Sequence, residues 1–227
     1  MFIKNNWKWR QIMKYLKLIL IFIIGLYSRE YLYSQNIANY YPLEVGNTWE
    51  YITIKPPNKV VVKVKEHGIL TNTYLIEKTT IINGLPPWIH FEVITKRDFG
   101  ILLIGYANSL FWEESFEYII PPKIIMQFPL EINKEWIYIS DLRGEEITYK
   151  IKRFCNIEVK AGKFSNVCNI EYLTKYWDPK NVKKDIDTLF PVNQYYAPNV
   201  GLILETIGSN SDSFSKPYLE LVNYHIH

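Results

Sequence analysis

The chain has 227 residues, 48% of them hydrophobic and 22% charged, and its 18 Tyr outnumber 11 Phe and 7 Trp. That is enough apolar material for one sizeable core, and the aromatic richness favours strands over helices. The formal net charge of +3 belongs to the first 35 residues, which hold six of the 26 basic groups and one of the 23 acidic ones; the remaining 20 and 22 give −2, with no global attraction for nucleic acid.

Lys14 and Lys17 precede a ten-residue apolar run, Leu18 to Tyr27. The run is too short to span a bilayer comfortably and suits the core of a secretory signal. Residues 1–35 are therefore read as a signal peptide cleaved near Ser34 or Gln35, with Met13 as an alternative start. An uncleaved leader would be the one membrane contact. No Cys lies near the cleavage point, so the thiol of a lipoprotein anchor is missing. The destination is the periplasm, the envelope or the medium.

Beyond the leader, apolar and polar residues alternate. Val60, Val62 and Val64 interleave with Lys59, Lys63 and Lys65. Ile89, Phe91 and Val93 interleave with His90 and Glu92. Ile147, Tyr149, Ile151, Cys155, Ile157 and Val159 mark one long run with the same period of two, the sign of half-buried strands. Turn signals separate the runs at Pro56-Pro57-Asn58, Asn83-Gly84, Pro121-Pro122, Arg143-Gly144, Ala161-Gly162 and the 208–213 segment. Residues 106–118 are the sole helix candidate. The pattern predicts an all-β, mainly antiparallel domain over 36–227: a single curved sheet, a sandwich or a half-barrel of many short strands.

An internal repeat relates 42–52 to 129–139. Pro42, Leu43, Glu44, Trp49, Tyr51 and Ile52 recur as Pro129, Leu130, Glu131, Trp136, Tyr138 and Ile139. The repeat reads either as a duplicated ligand platform or, the preferred reading, as two equivalent strand starts whose tryptophans are core.

The two cysteines invite a pairing argument. A hairpin with Val159 opposite Phe164 places Cys155 opposite Cys168 and Ile151 opposite Tyr172. A cross-strand disulfide is expected there, worth about 3 kcal/mol in the chain-entropy picture. Two buried free thiols are the alternative.

Catalytic signatures are missing: no nucleophile elbow, zincin helix, phosphate loop or dinucleotide fingerprint is present. His67, His90, His225 and His227 read as solvated or terminal side chains. Asp178, Asp185 and Asp187 share their segment with three lysines, unlike a calcium loop. The adjacent carboxylates Glu113-Glu114 and Glu145-Glu146 would point to opposite faces of a strand. Tyr195-Tyr196, Phe111-Trp112 and Trp88 are candidates to line an apolar pocket. No catalytic residue, metal site or cofactor is expected.

Three segments carry a family resemblance: Tyr40-Tyr41-Pro42-Leu43-Glu44-Val45-Gly46-Asn47-Thr48-Trp49-Glu50-Tyr51, Val159-Lys160-Ala161-Gly162-Lys163-Phe164-Ser165-Asn166-Val167, and Tyr195-Tyr196-Ala197-Pro198-Asn199-Val200-Gly201-Leu202. Together they resemble an uncharacterised group of secreted bacterial domains with a PLxxGxxWxY start, a VxAGxF turn and a YxAPxVGL segment. The chain departs from that pattern at Lys160, where Pro is usual, and at Asn199, where Gly is usual. The resemblance implies that Pro42, Gly46, Trp49, Gly162, Pro198 and Gly201 are turn and core positions, and the internal repeat assigns Pro129 and Trp136 the same roles. It implies a sheet curved somewhat like those of periplasmic lipoprotein carriers (LolA/LolB-like). The reading that follows is a non-enzymatic exported protein binding an apolar or lipidic ligand, or a protein partner. The alternatives are a structural or adhesion sandwich, then a hydrolase with an unrecognised site.

Overall fold

In the computed structural model, Thr48–Thr53 shows how the sequence makes sheet: Trp49, Tyr51 and Thr53 turn inward while their neighbours stay partly exposed. The structure describes residues 40–54, 58–67, 72–107, 116–177, 187–188, 190–208 and 216–227. The leader, Phe111-Trp112, Glu113-Glu114, Asp178 and Asp185 lie outside these residues.

Thirteen strands follow in order: β1 (Thr48–Thr53), β2 (Lys59–His67), β3 (Thr73–Ile81), β4 (Trp88–Arg97), β5 (Gly100–Ala107), β6 (Glu117–Gln127), β7 (Glu135–Ser140), β8 (Glu145–Val159), β9 (Gly162–Tyr176), β10 (Asp187–Thr188), β11 (Val192–Ala197), β12 (Gly201–Ile207) and β13 (Lys216–His225). All pairings are antiparallel, and the described residues contain no helix. The order β6-β5-β4-β3-β2-β1-β13-β12-β11-β9-β8-β7 forms one nearly closed barrel-like sheet, with β10 added to the end of β9. The sequence left curved sheet, sandwich and half-barrel open; the chain takes the closed limit of one curved sheet.

The path is a meander whose first and last strands meet, β1 on β13. The remaining edges, β6 and β7, face each other across a seam. Side chains fasten it: Trp136 Nε1 donates to the Ile124 carbonyl at 2.9 Å, Arg143 pairs with Glu117 at 2.7 Å, and Lys123 Nζ lies 5.7 Å from the Tyr138 ring centre.

The internal repeat is geometric as well as textual. Gly46 (φ +99°) and Asn133 (φ +68°) hold the same left-handed place in two equivalent turns. Asn47 N donates to Glu44 O at 3.1 Å, and Lys134 N to Glu131 O at 3.0 Å. Each turn locks to the next strand alike: Gly46 N to Val64 O and Val64 N to Asn47 O, then Asn133 N to Ile151 O and Ile151 N to Lys134 O. Glycine and asparagine are the residues that tolerate this backbone. The motif therefore starts both halves of the barrel, and both tryptophans are core, each 6% exposed.

The three segments that carry the family resemblance converge in space. Trp49 Nε1 donates to Val200 O, Tyr51 Oη to Leu202 O at 2.9 Å, and Tyr40 Oη to Asn166 O at 2.7 Å. Pro198-Asn199 makes the turn between β11 and β12, with Asn199 at φ +60° and Val200 N bonded to Ala197 O. This is the hydrogen bonding of a type II turn, whose third position needs positive φ. Gly201 sits against Pro42, and Pro129 opens the second copy of the motif.

Several expectations are corrected. Pro121-Pro122 is no turn; both residues lie inside β6, where the register with β5 slips, and on an edge that carries no ladder they lose no hydrogen bond. Of the proposed 106–118 helix, the described ends are strand or adjoin one. The C-terminus is tied down rather than frayed: His225 pairs with Thr48, and His227 N donates to Asn47 Oδ1 at 2.9 Å.

The expected disulfide is absent: Cys155 and Cys168 are both free thiols. The hairpin closes two residues tighter than expected, with Val159 opposite Gly162 across Lys160-Ala161. A bulge at Asn166 (φ +55°) then shifts the ladder, so Cys155 faces Val167 and Cys168 faces Phe154. Burial pushes the Cys168 thiol up to about 12, leaving it an inert apolar side chain.

Candidate functional site

A barrel directs alternate side chains of every strand into one space. Here the space is not filled: a cavity of about 280 Å³ remains, lined from nearly every strand of the barrel. Val60, Val62, Ile76, Leu103, Leu202 and Leu219 supply its apolar wall. Trp49, Tyr51, Tyr106, Tyr149, Tyr172 and Tyr196 supply an aromatic one. Tyr41, Pro42 and Leu43 line both this cavity and a second of about 550 Å³ that reaches Tyr74, Lys96 and His227.

The lumen also holds charge. Lys78 Nζ and Glu92 Oε1 meet at 2.6 Å across β3 and β4. Tyr196 donates to Gln194 Oε1 at 3.1 Å, and Gln194 Nε2 donates to Glu205 Oε2 at 2.8 Å. Lys123 reaches the same cavity from β6. Such groups on an otherwise apolar lining can orient a ligand.

Burial dominates the protonation states. It raises Tyr51, Tyr149, Tyr172 and Tyr196 well above an ordinary phenol, with neighbouring carboxylates and tyrosines adding to the effect. These hydroxyls therefore serve as donors and not as anions. Burial also raises Glu205 above the usual carboxylate value, opposed by the Gln194 hydrogen bond and Lys78. A carboxyl raised in the folded state contributes stability that is present at low pH and lost as pH rises through its folded value. Glu205→Gln, which keeps an acceptor for Gln194, should melt higher than wild type at neutral pH. The gap should close at a pH below the ordinary carboxylate value. Parallel melting curves across that range would contradict this assignment.

His90 corrects the sequence reading. The alternation reads it as a solvated polar-face residue, yet its partner in the register is Lys78, on the lumen face beside Glu92. Burial lowers its pKa, Nδ1 is buried without a partner, and its ring lies 4.7 Å from Trp88. The face assignment was inverted because Phe91 and Val93 point outward. With Leu75 and Ala107 they form a separate small cluster covered by Phe116.

The remaining candidates separate. Tyr196 lines the cavity, Tyr195 is buried core, and Trp88 is 63% exposed. Glu145 and Glu146 diverge as expected: Glu146 pairs with Lys175 at 2.8 Å, while Glu145 is hydrogen-bonded by Tyr176. Asp187 is paired with Tyr176 in the short β10 ladder. Sequence reasoning missed Lys78, Glu92, Lys123 and Glu205; a charge in phase with inward apolar neighbours was the available signal.

These features define a class: a small all-β barrel with an aromatic, partly charged internal cavity. No protein-family model and no curated protein matches the chain. The fold is similar to that of a Bacteroides fragilis protein described as exported, with a YmcC-like fold: TM-score 0.51 and 13% identity over 82% of this chain and 99% of that one. It is likewise similar to a Parabacteroides distasonis protein described as a lipoprotein: TM-score 0.50 and 15% identity over 82% and 99%.

Proposed function

We propose that this is an exported, non-enzymatic binding protein that carries one apolar or amphipathic small molecule in its barrel lumen. The single observation that carries the reading is the cavity, apolar along β2, β12 and β13 and set with tyrosines and charges elsewhere. Its size supports a short single-chain guest: 280 Å³ is room for about nine water molecules. Export is supported by the basic, apolar leader and by the fold shared with proteins described as exported or lipoprotein.

The test is native mass spectrometry of protein recovered from the exported fraction. The expected result is one small adduct, lost on denaturation and recovered in organic solvent. A clean apo mass, together with no binding of decanoate or decanol by delipidated protein, would overturn the reading.

A further inference from the structure

Among the charges lining or surrounding the cavity, Lys123 has no ionic partner among the described residues. Lys78 is engaged by Glu92, Glu205 by Gln194, Arg143 by Glu117 at 2.7 Å, and Glu145 by the Tyr176 hydroxyl. Lys123 lines the same cavity, and no carboxylate of a described residue lies within 4.0 Å of its ammonium. Its charged surroundings are Glu145 and Glu92, which favour the cation, and Arg143 and Lys78, which oppose it. Among the described residues its direct partner is the Tyr138 ring, 5.7 Å away. An ammonium withdrawn from water without a counter-ion is costly.

Two further donors line the cavity. The Tyr149 and Tyr172 rings stand 5.7 Å apart, and neither hydroxyl has a hydrogen-bond partner among the described residues. An ammonium and two phenolic O–H groups thus line one cavity as donors, and an anionic acceptor is the group that suits them.

We propose that Lys123 is the counter-ion of the ligand's head: the lumen takes a monoanionic single-chain amphiphile, its acid group at Lys123 and its chain along Val60, Val62, Leu202 and Leu219. This rests on the lumen-binding reading and makes it specific. Burial holds the Lys123 pKa below the ordinary lysine value, and a bound anion would reverse that penalty. The paired Lys78 and Glu92 leave the head little reason to settle on β3 and β4.

The experiment is calorimetric titration of the delipidated full exported chain with decanoate, decyl phosphate and decanol. Wild type should bind decanoate about tenfold or more tightly than decanol, the usual worth of a charge-assisted contact. Lys123→Met should lose that advantage and keep decanol affinity; Lys123→Arg should restore part of it. Tighter decanoate than decyl phosphate identifies a carboxylate head, and the reverse order a phosphate head; either supports an anion site. Equal wild-type affinity for acid and alcohol overturns the proposal while leaving lumen binding intact. So does a Lys123→Met protein that still prefers the acid. Binding of none of the three removes the lumen reading itself. The wild-type comparison stands even if a variant fails to fold.

Discussion

Trp49→Ala should cost about 3–5 kcal/mol of unfolding free energy, the range for truncating a buried aromatic. Trp49 is 6% exposed on β1, and its ring forms part of the lumen wall. Its indole N–H donates to Val200 O, at the turn joining β11 and β12, 151 residues away in the chain. Truncation removes the ring, enlarges an existing cavity and leaves that carbonyl without its donor. Trp49→Phe separates the contributions: most of the ring area stays, and the loss should fall to about 1 kcal/mol from the hydrogen bond. Denaturant unfolding of both variants checks this. An alanine variant within about 1 kcal/mol of wild type would mean that Trp49 is not a packing anchor.

Gly100→Ala is the second large effect, and it comes from addition. A Cβ at Gly100 would stand 2.4 Å from the Met126 carbonyl oxygen, a backbone atom of the adjacent strand. No rotamer relieves such a contact; β6 must move away from β5. Gly100 opposes Gln127 at the end of the pairing, where Phe128 N also donates to Phe99 O at 2.8 Å. The strain should cost about 1–3 kcal/mol, the usual range for overpacking. Gly84→Ala is a useful contrast, because nothing lies within 4 Å of its Cβ direction although its φ is +82°. If Gly100→Ala melts with wild type, the β5–β6 contact is looser than described here.

The legible parts of this fold were those where one physical signal acted alone. In β2, three valines face the interior and lysines face water, so the alternation gave both the strand and its facing. The repeat was legible from its six identical positions, and the structure adds that Gly46 and Asn133, residue types that accept a left-handed backbone, hold its turn. Asn199 was legible as a Gly substitute for the same reason. In β4 two signals competed: Phe91 and Val93 were taken as inward because they are apolar, but a partly polar lumen received His90 and Glu92 instead. The cysteine pairing failed because the hairpin closes two residues tighter than its turn signal suggested and the bulge at Asn166 restores only one of them, leaving Cys155 and Cys168 one residue out of register. The cavity had no local signature at all. Its lining is gathered from nearly the whole sheet, and a tyrosine facing a void looks in sequence like a tyrosine facing a core.

The two pseudo-equivalent joins of the barrel are made of different bonds. Where β13 meets β1, six residue pairs share a backbone ladder. Where β6 meets β7, the described fastenings are an indole N–H to a carbonyl, an exposed ion pair and a lysine over a ring. Parting the second join would break no ladder among the described residues, so this side of the wall is held by a side-chain clasp alone. The clasp contains Trp136 and Lys123 themselves. Amides along β7 facing it should exchange with deuterium ahead of those on β1.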